Sequence, residues 1–223
     1  MSAFTSRWVE RPEHVADDED VGTLPQGFRA AGVAAGIKPQ GLDLGLLVSD
    51  AAETTSAARF TRSGVLAAPV QVTKERCELG AIKAVVANSG NANAATGGPG
   101  LDEAARMQGA ASMVGGTPTE RVAVCSTGVI GVPLDGNVVT KGLLAARPEL
   151  RIDGALDFAD AIKTTDILDK QLALTVTLPS GPVRLTAQAK GAGMIQPNFA
   201  TMLCFVQTDA ALTPETCDLL LGV

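Results

Sequence analysis

The sequence predicts a layered α+β fold, and three observations carry that expectation. Hydrophobic residues make up 46% of the 223 positions, enough to fill a sizeable core. Aromatics are only 3%, with no tyrosine, so the core is built from Val, Leu, Ile, Ala and Met, with close backbone approaches at many of the 24 glycines. Along the chain, short apolar runs alternate with segments of helical period, which is the pattern of sheets packed against helices.

Residues 1–26 read as a polar, loosely packed lead-in with an acidic cluster at Asp17–Asp20. A strand is expected from Leu42 to Val48, and a second short one over Val65–Val72, interrupted near Pro69. From Lys83 a buried strand breaks into the Asn- and Gly-rich loop NSGNANAATG, where side-chain amides bond back to the chain. DEAARMQGAASMVGG fits a helix, because Ala104, Met107, Ala111 and Val114 share one face and Gly115–Gly116 stop it.

RVAVCSTGVIGVPL reads as a strand entering a Ser-Thr-Gly turn. Helices follow over 137–147 and about 155–163, the latter ending at KTTD. Leu172–Leu178 and 183–190 are strands joined by a turn at 180–182. In the second, Val183, Leu185, Ala187 and Ala189 take one face, and Arg184, Thr186, Gln188 and Lys190 the other. TMLCFVQTDA reads as a strand buried on both sides, and a helix begins after Thr213-Pro214.

Composition also excludes functions. With 18 basic against 24 acidic residues the net charge is −6, and no basic block supports nucleic-acid binding. No apolar stretch reaches the length of a membrane span, and no signal-peptide core opens the sequence. The four cysteines lack metal-type spacing and three of them read as small core residues, so a cytoplasmic chain with reduced thiols and no metal is expected. The single histidine, His14, lies in the polar lead-in beside no nucleophile motif, so a His-dependent triad is not expected.

The remaining chemistry concentrates in three places. Thr201 either begins a strand or, freed as a chain terminus, acts as a nucleophile whose own α-amine is the base, a site that needs no histidine. Lys190 is either a solvated charge or the anchor of a substrate carboxylate. The segment Cys125–Gly128 either makes a tight turn or supplies an oxyanion hole from the Gly128 N–H and the Thr127 hydroxyl.

Six segments together resemble the glutamate N-acetyltransferase (ornithine acetyltransferase) family of arginine biosynthesis. They are GFRAAGVAAGIK at 27–38, FTRSGVLAAPV at 60–70, NSGNANAATG at 88–97, VCSTGVIG at 124–131, KTTD at 163–166 and KGAGMIQPNFATMLCFVQTDA at 190–210. They run in family order and cover the first half of a family member. Ala95, Ser63 and Phe199 differ from common family residues.

The resemblance implies a fold like the N-terminal-nucleophile sandwich, with sheets flanked by helices. It implies self-cleavage between Ala200 and Thr201, so that 27–200 belong to an α chain and 201–223 begin a β chain, the two pairing as an α2β2 heterotetramer. Thr201 is then the nucleophile, Thr127 and Gly128 the oxyanion hole, and Thr164, Lys190 and Thr201 the substrate contacts. The implied reaction moves an acetyl group from N-acetylornithine to glutamate through an acetyl-threonine. No cofactor is implied, although bifunctional members use acetyl-CoA as a second donor. Rival expectations are an aminopeptidase or amidase of the same architecture, and an inactive structural homologue.

Overall fold

A computed structural model describes residues 10–192 and 202–222. Its core sheet comprises β2 (Phe28–Val33), β3 (Leu44–Ser49), β4 (Ala84–Asn91) and β5 (Val122–Val129), in that spatial order. The first three are antiparallel neighbours, while β4 and β5 run parallel. A parallel pair requires a long crossover, supplied here by helix α2 (Gly97–Gly115). A second, wholly antiparallel sheet has the order β1 (Val15–Asp17), β6 (Lys170–Leu178), β7 (Gly181–Lys190), β8 (Leu203–Thr208).

Alternation along the core strands fills two separate cores. Leu44, Leu46, Val48, Val86 and Val124 point to one side, where they meet α1 (Ala68–Arg76), α2 and α3 (Gly136–Ala146). Ala30, Leu47 and Ala87 point to the other, where they meet Phe158 and Ile162 of α4 (Ala155–Ile162). Phe158 also packs edge-on against Phe205 of β8, with centroids 5.3 Å apart, so α4 joins the two sheets. All six residues of β3 are buried, as expected of a strand covered on both faces.

Most of the expected elements are present. The α2 face of Ala104, Met107, Ala111 and Val114 is buried, and Gly116 ends the helix in the left-handed conformation at φ 64°. The C-terminal helix α5 (Pro214–Leu221) starts at a Thr213 cap, whose side chain accepts from the Thr216 N–H.

Several expectations need correction. The strand expected over Val65–Val72 is the start of α1, because Pro69 in the first turn neither needs an N–H nor strains its φ. The Ser-Thr-Gly turn is absent, since β5 continues through Gly128 to Val129 on the ladder to β4. The lead-in is not loosely packed from residue 10 onward. There β1 pairs with β6, Leu24 is buried, and Arg184 binds Asp18 and the Thr23 carbonyl. Strand β8 is not buried on both sides: Phe205 and Gln207 face inward, but Cys204 and Val206 are exposed. Nor are three cysteines in the core: Cys125 packs against the second core, Cys77 and Cys217 are half-buried, and Cys204 is exposed.

Candidate active site

The second sheet inverts the usual polarity of a strand. On β7 it is the polar face that turns inward: Thr186, Gln188 and Lys190 are buried, Lys190 to 2% exposure. The default of a solvated lysine at position 190 is therefore wrong. Burying polar groups is costly unless they are paired, and two of the three are: Thr186 donates to the Gln207 side-chain oxygen at 2.8 Å, and Lys190 finds its partner in a loop.

Lys190 has partners from the loop between α4 and β6. Its Nζ donates to the Thr164 hydroxyl at 2.8 Å. Two residues on, Asp166 accepts from the Gly191 N–H at 2.7 Å and from Lys170 Nζ at 2.6 Å. Adjacent residues of the strand end are thus clamped to alternate residues of one loop. Burial pulls the Lys190 pKa below its ordinary value, with the Asp166 charge opposing and Lys170 reinforcing the fall. Burial would raise Asp166, but the Lys170 and Gly191 hydrogen bonds and the two lysine charges outweigh it, holding the carboxyl below its ordinary range.

The other half of the site is the end of the parallel pair β4–β5. Gly90 lies opposite Gly128, and a Cβ on Gly128 would come within 2.3 Å of the Gly90 carbonyl carbon. Both have positive φ, 97° and 137°, so this close approach needs glycine twice. Beside them Thr127 is 1% exposed, on the side of β5 shared with Cys125, toward the Phe158 core. Its hydroxyl has no hydrogen-bond partner among the described residues, and neither does the buried Gln188 amide of β7. Burial pushes the neighbouring Cys125 thiol up to about 12, leaving it un-ionised and a poor nucleophile.

A cavity of about 300 Å³ opens where these two strands end, between Gly90, Asn91 and Val129 on one side and Gly36 and Ile37 on the other. The carboxyl ends of parallel strands are a recurrent place for ligands in α/β sheets. Ser89 Oγ donates to the Ala161 carbonyl at 2.7 Å, tying the end of α4 to β4. Sequence reading does not reach the ties made by Ser89 and Asp166. A buried aspartate and a strand serine carry no local pattern until the sheet brings them to their partners.

Thr127 and Gly128 thus sit together on β5, and Thr164 and Lys190 together at the second sheet. Ala200 and Thr201 lie outside the described residues, so the expected cleavage bond and nucleophile are not located here. His14 is exposed, its carbonyl accepting from the Thr177 N–H. No group of three or more His, Cys, Asp or Glu side chains among the described residues is arranged to hold a metal ion. None of the described helices is long and apolar enough to cross a membrane.

Fold and site define a two-sheet α+β protein with a buried lysine bonded to a loop threonine, and a glycine-paired strand end. The chain belongs to the ArgJ family, whose model matches residues 29–222. It is 48% identical over 193 residues to an arginine biosynthesis bifunctional protein ArgJ from Symbiobacterium thermophilum, covering 85% of this chain and 48% of that protein. It is 44% identical over 200 residues to the protein of the same name from Thermobifida fusca, covering 89% and 51%. The chain therefore spans about half the length of these curated relatives. Among solved structures, ArgJ from Bacillus halodurans superposes with a TM-score of 0.75 at 37% identity, covering 85% of this chain and 98% of that one. An ornithine acetyltransferase from Mycobacterium tuberculosis, solved with ornithine, gives a TM-score of 0.72 at 34% identity, covering 85% and 100%.

Proposed function

We propose that this chain is part of an acetyltransferase of arginine biosynthesis that moves an acetyl group from N-acetylornithine to glutamate. The observation that carries the reading is the buried Lys190 ammonium donating to the half-buried Thr164 hydroxyl, a cationic corner beside a polar strand face. Both substrates carry an α-carboxylate, and a desolvated ammonium beside a hydroxyl suits one. The curated relatives' names supply the pathway, and the relative solved with ornithine supports the amine product.

In this reading the full-length protein cleaves itself between Ala200 and Thr201, and the freed threonine attacks the acetyl carbonyl. Its α-amine takes the hydroxyl proton, the tetrahedral oxyanion is held by the Thr127 hydroxyl and the Gly128 N–H, and ornithine leaves carrying the proton. Glutamate's amine then attacks the acetyl-threonine ester, giving N-acetylglutamate and restoring Thr201. Thr127's hydroxyl, without a partner among the described residues, supports this role, because a donor left free by them is available to a developing charge. The two solved chains are covered almost end to end while curated relatives are covered by half, and a precursor cut near its middle accounts for both. The two products pair as α2β2, no cofactor takes part, and acetyl-CoA is a second donor if the enzyme is bifunctional.

The test is incubation of the full-length protein with acetyl-labelled N-acetylornithine and glutamate. Labelled N-acetylglutamate is expected. Labelled acetate alone would identify a hydrolase, and unchanged substrate an inactive homologue.

A further inference from the structure

Resting on that reading, we infer that Lys38 is a positioning residue that fixes the spacing between the carboxylate corner and the Thr127–Gly128 strand end. It thereby sets the preference for substrates that carry an α-carboxylate.

The inference begins at Asp43, which is fully buried. Its carboxylate accepts four consecutive backbone N–H groups, from Ala35 at 2.6 Å, Gly36 at 3.0 Å, Ile37 at 2.6 Å and Lys38 at 2.8 Å. Convergent N–H groups around one anion make a stiff loop, and Gly36 at φ 96° permits the turn. The backbone of Lys38 is therefore held fast.

From there its side chain touches both halves of the site. The stem lies on β4 at Gly90, where a Cβ would come within 2.7 Å of Lys38 Cγ. Gly90 is the ladder partner of Gly128. The ammonium reaches on to donate to the Lys163 carbonyl at 3.2 Å, immediately before Thr164. Lys163's own ammonium is occupied by Asp160 at 2.8 Å and Asp169 at 2.5 Å, so its backbone is what Lys38 governs. Lys38 is thus a strut, footed on the glycine pair and capped by the loop that carries Thr164. An acyl site and a carboxylate site that serve one small substrate must keep their separation closely, since misplacement of about 1 Å can cost about 100-fold in rate.

The test uses the full-length, mature protein, with Lys38→Met, which keeps the stem but removes the donor, and Lys38→Arg, which keeps a donor. Steady-state kinetics with N-acetylornithine are paired with inhibition by ornithine and by putrescine, its counterpart without the carboxylate. Lys38→Met is expected to keep the wild-type melting temperature and to lower kcat/KM for N-acetylornithine about tenfold, the fall being shared between kcat and KM. It should raise the inhibition constant of ornithine about tenfold and leave that of putrescine unchanged, with Lys38→Arg restoring most of the loss. Wild-type values in Lys38→Met would overturn the inference, as would equal weakening of both inhibitors, which marks a merely structural role. If Lys38→Met does not fold, the same paired inhibition in Lys38→Gln decides by the same criteria. Failure of the wild type to transfer acetyl would overturn the underlying reading instead.

Discussion

The ammonium of Lys190 at the end of β7 donates at 2.8 Å to the hydroxyl of Thr164, which lies in the loop leaving α4. Replacing Lys190 by Met removes a desolvated charge together with the carboxylate contact proposed for it. A charge-assisted hydrogen bond is worth roughly 1.5–3 kcal/mol, or about 10- to 150-fold. Lys190→Met in the full-length protein is expected to raise the KM for N-acetylornithine by about that factor, without lowering the melting temperature. A variant that melts early and keeps its KM would assign Lys190 to folding instead.

The same burial predicts a pH dependence. Lys190 titrates below its ordinary 10.5, so kcat/KM should fall as pH rises through that lowered value, and Lys190→Arg should remove this alkaline limb. Stability moves the other way. Between the lowered and the ordinary value the unfolded chain binds the proton and the folded chain does not, so stability rises with pH across that window. Below both values the burial penalty is present in full. Urea unfolding of wild type and Lys190→Met across alkaline pH should show the difference between them shifting in that window only.

Thr127 offers a cleaner division between stability and activity. Its buried hydroxyl lacks a partner among the described residues, so Thr127→Val removes a polar atom that they leave unpaired, at nearly constant shape. Stability should hold or rise by about 1 kcal/mol, while kcat falls about 10²- to 10³-fold with the loss of an oxyanion donor. Chemical denaturation and single-turnover kinetics on the same preparation measure both.

Gly128→Ala is expected to fail structurally. Its φ of 137° and the 2.3 Å approach to Gly90 leave no room for a methyl group. A loss of about 2 kcal/mol or more follows from the strain alone, read as a lower urea midpoint.

The sequence makes every helix but α1, and most strands, legible because their periods repeat over a full turn or more. The α2 stripe of Ala104, Met107, Ala111 and Val114 is one case. It misleads where tertiary packing chooses the face. The alternation of β7 separates Val183, Leu185, Ala187 and Ala189 from Thr186, Gln188 and Lys190, yet only the fold shows that the polar set is the buried one. Pro69 is read from sequence as a strand interruption, but packing of Ala68 and Val72 into the first core makes it part of a helix start. Thr127, Gly128, Thr164 and Lys190 are reachable through motif resemblance. Asp43 and Lys38 are not, because no spacing announces the loop N–H groups that Asp43 gathers or the contacts of Lys38 with Gly90 and Lys163.

Intact-mass analysis of the complete gene product tests the central claim most directly. The account predicts two fragments divided before Thr201 in the wild type and a single uncut chain in Thr201→Ala. A wild-type protein that stays whole, or a Thr201→Ala protein still divided at the same bond, would contradict it.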